Sequence, residues 1–181
     1  MNTIDSLIQS IYFAAEQHGD QKLTGRQGSY VGHLFAVFAE VTSAHQAQPD
    51  FDLQKAQIMA VLHDVIEDTS ISFAELRTLY GESIAQGVEA LSKDPEVEKN
   101  AQIKESLERI KQQPREVWIV KMADRISNLR EPPGFWSNEK ISDYHQKAIE
   151  IGQSLQGCHS HLEHRLQEKI SAYEQYFDQE K

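Results

Sequence analysis

The chain has 181 residues, 39% of them apolar, with one cysteine and a formal net charge of −10. This length suits one domain around one core; a single cysteine excludes an intrachain disulfide, and the negative charge opposes binding to a nucleic-acid polymer. No apolar run nears the roughly 18 residues of a membrane span, and the opening MNTIDSLIQS lacks the features of a secretory signal, so a cytoplasmic protein without membrane contact is expected.

Ile4, Leu7, Ile8, Ile11, Ala14 and Ala15 recur at helical spacing and predict a helix over 3–17. Glycines 19, 25 and 28 make the next stretch a loop. Val31, Leu34, Phe35, Phe38 and Val41 predict a second helix over 30–44. Ile58, Met59, Leu62, Val65 and Ile66 predict a third over 53–66. Ser72 with Glu75 is a capping-box start for a fourth, which Gly81 separates from a fifth over 82–92. Residues 94–101 are polar, include Pro95, and read as a loop. Helix resumes near residue 101, and Pro114 opens the next helix, over 114–129, which Pro132-Pro133-Gly134 stops. Two long helices, about 137–155 and 158–178, complete an all-α chain with no alternating strand pattern, repeat or internal boundary. Residues 1–181 are therefore expected to form a single domain.

The stretch VLHDVIEDTS concentrates titratable groups at the end of the third helix. On a continuous helix, His63 and Glu67 would share one face, and Asp64 and Asp68 the neighbouring one. Burying such groups unpaired is costly, and a divalent cation removes the cost by neutralising the carboxylate and accepting an imidazole nitrogen. An isolated His-Asp pair is more often a satisfied core histidine beside a surface acid, so a metal site needs further ligands. His33, on the apolar stretch YVGHLFAVFAEV, and Asp124, inside VWIVKMADRISNLR, are the candidates. Two nitrogens and two carboxylates suit Mn²⁺, Mg²⁺, Fe²⁺ or Zn²⁺, and a cysteine–zinc site is ruled out.

The order His33, His63-Asp64, Asp124 resembles the H…HD…D signature of the HD-domain metal-dependent phosphohydrolases. LHDVIEDT is similar to the LHDxxEDT motif of the RelA/SpoT hydrolase domain and of its stand-alone relatives, the small alarmone hydrolases that include the metazoan SpoT homologue. KMADRISNLR is similar to their K-L-A-D-R-x-x-N-L segment. His18, Gln21, Gly25 and Tyr30 follow the layout of the family loop, and FAELRTLYGESIAQGVEALSK resembles its helix pair after the HD motif. The resemblance spans about residues 5–155. It implies an all-α HD-domain helical bundle of about eight to ten helices and one Mn²⁺ in a cleft. It also implies hydrolysis of the 3′-pyrophosphate of (p)ppGpp to GDP or GTP and pyrophosphate. Carried over by position, His33, His63, Asp64 and Asp124 would hold the metal, Glu67 and Asp68 would handle the attacking water, and Asn128 would contact the nucleoside.

Some positions depart from that pattern. Leu23 and Thr24 stand where an Arg-Lys pair is usual, Ser29 replaces a proline, and Glu131 stands near the place of a nucleotide-contacting threonine. Lys22 and Arg26 are the nearby substitutes, and with Asn128 and Lys104 they are the substrate-binding candidates. The alternatives are a hydrolase of another nucleotide, such as a nucleoside phosphate or a nicotinamide dinucleotide phosphate, and a nucleotide-binding regulatory module without turnover. Arg109 and Lys111 are expected mainly on a solvated face, Lys121 to pair with Asp124, and Arg125 and Arg130 to form structural ion pairs. Phe135, Trp118 and Trp136 read as core or lid-packing aromatics. Cys158, His159, His161 and His164 look like a metal cluster, but helical geometry splits them between faces.

Overall fold

A computed structural model describes residues 3–177, and among these there are ten α-helices, one 3-10 turn and no β-strand. Helices α1 (Thr3–His18) and α2 (Val31–Ala47) are joined by the glycine-containing loop, which one antiparallel bridge between Lys22 and Ser29 closes on itself. Next come α3 (Leu53–Leu62), the short α4 (Val65–Asp68), α5 (Phe73–Tyr80) and α6 (Glu82–Leu91). The chain continues through α7 (Gln102–Lys111), α8 (Arg115–Asn128), α9 (Asn138–Ser154) and α10 (Ser160–Tyr173), with the 3-10 turn at Glu174–Tyr176. The expected all-α bundle is what the chain forms. The expected end of its last helix, at residue 178, lies outside the described residues. No helix among the described residues is long and apolar enough to cross a membrane.

Local chemistry accounts for several boundaries. Asp52 accepts the Lys55 backbone N–H at 3.0 Å, and Ser137 accepts that of Lys140 at 3.2 Å, each satisfying an orphan donor of a first turn. Ser72 and Glu75 form the reciprocal capping box. Gly81 ends α5 and begins α6 without a connecting loop, at φ +84°, which a side chain rarely tolerates.

Helix α3 lies at the centre. Every residue from Ala56 to Leu62 is buried, because α1, α2, α6 and α8 surround it. To the same core α2 contributes buried Leu34, Val37 and Val41, and α8 contributes Val117, Val120 and Ile126. Leu62 has no exposure, so Leu62→Ala would cost about 2–5 kcal/mol. The apolar stripe of α1 is wider than the face it buries: Leu7 and Ala14 face the core, whereas Ile4 and Ile8 are exposed.

The third helix departs from the expected continuous span over 53–66. It stops at Leu62, turns through His63 and Asp64, and restarts as α4. Asp64 adopts φ −104° and ψ 2°, the sparsely allowed bridge region between helix and strand. The two side chains at this break turn inward to partners on α2 and α8, and those contacts displace the regular helical ladder.

Candidate metal centre and cleft

The cleft floor forms where α2, the α3–α4 break and α8 meet. His33 comes from the first turn of α2, His63 and Asp64 from the break, and Asp124 from the middle of α8. The Nε2 atoms of His33 and His63 are 3.2 Å apart. Asp64 Oδ2 lies 2.8 Å from His63 Nε2 and 3.7 Å from His33 Nε2. Asp124 Oδ1 lies 3.3 Å and 3.7 Å from the Nε2 atoms of His33 and His63. The ligating atoms of His33, His63 and Asp64 all fall within 4.8 Å of one another. Neighbouring ligand atoms around an ion bound at about 2.1 Å stand roughly 3.0–3.4 Å apart. The His33, His63 and Asp64 donors therefore fit one divalent cation, of a hard or borderline kind, and Asp124 stands against both imidazoles as the further carboxylate.

Partners on the far side of each ring aim the donors inward. The His63 Nδ1–H donates to the Ala60 carbonyl at 2.8 Å, and His33 Nδ1 lies 3.1 Å from the Ser127 hydroxyl. The Ala60 carbonyl fixes the His63 tautomer, so its Nε2 lone pair points into the cluster toward His33 Nε2, where a proton or a cation relieves the repulsion. Burial disfavours a charged His63, but the Asp64 carboxylate outweighs burial and pushes this imidazole up to about 9. Burial likewise opposes ionised Asp64 and Asp124, yet His63 beside the first and Lys121 beside the second hold both below the usual carboxylate range. The Tyr30 hydroxyl donates to Asp64, and burial together with that carboxylate pushes the phenol strongly up. Asp124 is oriented by Asn128 Nδ2 at 2.5 Å and Lys121 Nζ at 3.2 Å.

The helix break alters the neighbourhood of the two further acids. Glu67 does not extend a face that begins at His63. It belongs to α4, and both its oxygens are taken by Lys93, one by the ammonium and one by the backbone N–H at 2.9 Å. Asp68 accepts from Gln21 Nε2 at 2.9 Å, and the Gln21 carbonyl oxygen accepts from His18 Nδ1 at 2.7 Å. The loop is thereby tied to the acids. Its tip rests on the Pro132-Pro133 rim: Gly25 has φ +72°, and a Cβ there would lie 2.6 Å from that of Pro133.

These walls enclose a cavity of about 500 Å³. Eight of the 18 lysines and arginines line it, against five of the 28 acids, so an acidic chain carries a basic cleft. Lys22, Arg26 and Asn128 are at the cleft, with Leu23 and Thr24. Arg26 is turned toward Glu131, at 3.5 Å.

Lys104 is not brought to the cleft. Ile103 faces the cavity, and the next position on a helix points about 100° away, leaving Lys104 exposed. Arg109 is used by Glu105 and by the carbonyls of Glu89 and Ser92, and Lys111 by Glu108. Arg125 and Arg130 line the cleft without the structural ion pairs expected of them among the described residues. Phe135 is exposed, and Trp136 lines the cavity edge-on to Tyr144. Sequence reasoning missed Lys93, Tyr144 and Lys147; each reaches the cleft only by tertiary approach, and no local pattern marks them.

Residues 10–166 match the family model of the HD domain. The chain is 29% identical over 167 residues to the guanosine-3′,5′-bis(diphosphate) 3′-pyrophosphohydrolase MESH1 of Danio rerio, covering 90% of this chain and 91% of that protein. It is 27% identical over 165 residues to the Homo sapiens protein of the same name, covering 88% and 90%. The solved structure of a metazoan ortholog of SpoT that hydrolyses ppGpp is similar with a TM-score of 0.80 at 25% identity, covering 92% of this chain and 94% of that one.

Proposed function

The chain belongs to the HD domain family, and on that premise we propose that it is a (p)ppGpp 3′-pyrophosphohydrolase acting as one domain over residues 1–181. Its relatives of near-equal length carry that activity in their names. The observation that carries the reading is the meeting of His33, His63, Asp64 and Asp124 on the floor of a basic cleft, with Glu67 and Asp68 on its wall. The proposal includes Mn²⁺ as the resident ion, a small nucleotide as substrate, and a cytoplasmic location away from membranes and nucleic-acid polymers.

In this mechanism His33, His63, Asp64 and Asp124 hold the ion. A divalent cation bound there would lower the pKa of a water and polarise a phosphoryl oxygen. Tyr30, Lys121 and Asn128 keep the carboxylates oriented, so little rearrangement accompanies the reaction. An incoming phosphate competes for the Lys93 ammonium and frees a Glu67 oxygen to accept a proton from the attacking water. Asp68, held by Gln21, positions that water. The water oxygen bonds to the phosphorus on the 3′ oxygen as the P–O3′ bond breaks, pyrophosphate is released, and the 3′ oxygen is protonated, balancing the proton that Glu67 took from the water. Asn128 donates to Asp124 and keeps its own carbonyl oxygen for the nucleoside.

One observation favours a broader choice of base. Leu23 and Thr24 line the cleft where an Arg-Lys pair is usual, and Arg26 is engaged by Glu131. The test is pyrophosphate or phosphate release from a nucleotide panel with Mn²⁺, comparing wild type with Glu67→Gln. Fastest release from (p)ppGpp, lost in Glu67→Gln, is the expected result. Faster release from a nicotinamide dinucleotide phosphate or a nucleoside phosphate would reassign the substrate, and saturable binding without turnover would favour a regulatory module.

A further inference from the structure

Two guanidinium groups at the cleft have no anionic partner among the described residues. Arg125 is only 6% exposed, and its Nε and Nη1 are buried without a hydrogen-bond partner. Its guanidinium carbon sits 4.7 Å from the centroid of the Tyr144 ring. Arg130, further along the chain, also lines the cavity and forms no ion pair with a described residue. The carboxylates that could neutralise them are engaged elsewhere: Asp124 with His33, Lys121 and Asn128, Asp143 with Lys147, and Glu131 with Arg26. Tyr173, at the same cavity, has a buried hydroxyl that also lacks a partner. A buried unpaired cation is strongly unfavourable, and contact with an aromatic face offsets only part of that.

We propose that Arg125 and Arg130 form the seat for a second phosphate group of the substrate, the one that is not cut. For guanosine 3′,5′-bis(diphosphate) this is the 5′-diphosphate, which would lie there while the 3′-diphosphate lies at the His33/His63/Asp64/Asp124 cluster. The inference rests on the hydrolytic reading of that cluster. A planar guanidinium fork matches phosphate oxygens. Arg125 is already buried with its guanidinium over the Tyr144 ring, so little side-chain freedom is lost on binding. The other cleft cations are placed differently: Lys93 meets the phosphate that is cut, Lys121 is held by Asp124, Lys147 and Lys140 face Asp143, Arg26 faces Glu131, and Lys22 is exposed on the loop.

The Mn²⁺-loaded full chain and Arg125→Met are compared on two substrates, guanosine 3′,5′-bis(diphosphate) and guanosine 3′-diphosphate with a free 5′-hydroxyl. In the wild type, loss of the 5′-phosphates should raise KM about tenfold or more, with a smaller change in kcat. In Arg125→Met the two KM values should converge, and Arg130→Met should narrow the gap partway. An unchanged KM ratio in Arg125→Met overturns the proposal. Thermal melting of the substrate-free variants separates a seat from a structural role. Arg125→Met should melt at or above the wild-type temperature, because an uncompensated charge is removed; a lower Tm with equal losses on both substrates overturns the seat. If the wild type cleaves neither substrate, the hydrolytic reading fails, and calorimetry with GDP then decides the seat alone. Binding at least about tenfold weaker in Arg125→Met supports it, and equal binding overturns it.

Discussion

Residues 158–164 place a cysteine and three histidines within one short stretch, whereas His33, His63, Asp64 and Asp124 are scattered over most of the bundle. The compact set disperses. Cys158 is buried, and burial pushes its thiol up to about 12, so it packs as a small apolar group. His159 Nε2 lies 3.3 Å from the Gln48 carbonyl, His161 Nε2 3.2 Å from the Ser43 hydroxyl, and exposed His164 3.2 Å from Glu168. The scattered set converges, with its histidine and aspartate tips 2.8–3.7 Å apart across the pairs that meet. Density of ligand-type residues along a chain says little about a site. What matters is whether each residue sits where a buried helix faces its neighbours, and whether a partner behind it aims it inward.

Substitutions should separate the two regions, and the largest effects belong to the scattered set. His63→Ala and Asp64→Asn should each lose bound divalent metal by elemental analysis and slow pyrophosphate release about a thousandfold or more. The double change His161→Ala/His164→Ala should keep the metal; metal retained in His63→Ala would erase the contrast. Glu67→Gln should lower kcat by about a hundredfold or more with metal content intact. Tyr30→Phe removes the hydroxyl that holds Asp64, and metal titration should show affinity about tenfold weaker.

A pH series on metal-free protein gives a subtler distinction. The folded state raises His63 from 6.5 to about 9, so its stabilising contribution is fully present below pH 6.5 and is lost as pH rises through about 9. Asp64 and Asp124 are depressed, so theirs is present above 3.8 and is lost on acidification. Thermal melts should decline on both sides, and His63→Ala should flatten the alkaline side. The smallest effect is expected at exposed His164, where His164→Ala should change stability by less than about 0.5 kcal/mol.

Helix positions were readable where the signal is local. The Ser72–Glu75 box, Gly81 and Pro132-Pro133-Gly134 act through their own backbone neighbours, and the chain follows them. The break after Leu62 was not readable, because residues 53–66 have the apolar spacing of one helix, and the turn is made by His63 and Asp64 reaching His33 and Tyr30. Lys93 escaped for a similar reason: it lies in the segment after α6, and its carboxylate partner, Glu67, is on α4. Arg125 and Arg130 were misjudged, since neither pairing nor its absence leaves a trace in linear spacing.

The order of residues by itself determined an all-α chain, most of its helix ends, and the identity of the side chains able to meet around a cation. These follow from backbone propensity, apolar periodicity and donor chemistry, which act over a few residues. Only the tertiary structure decided where the third helix breaks, that Lys93 occupies Glu67, that the chain's positive charges gather at one cleft, and that two guanidinium groups remain there without counter-ions. Those outcomes depend on the distances between helices, and non-local packing sets them.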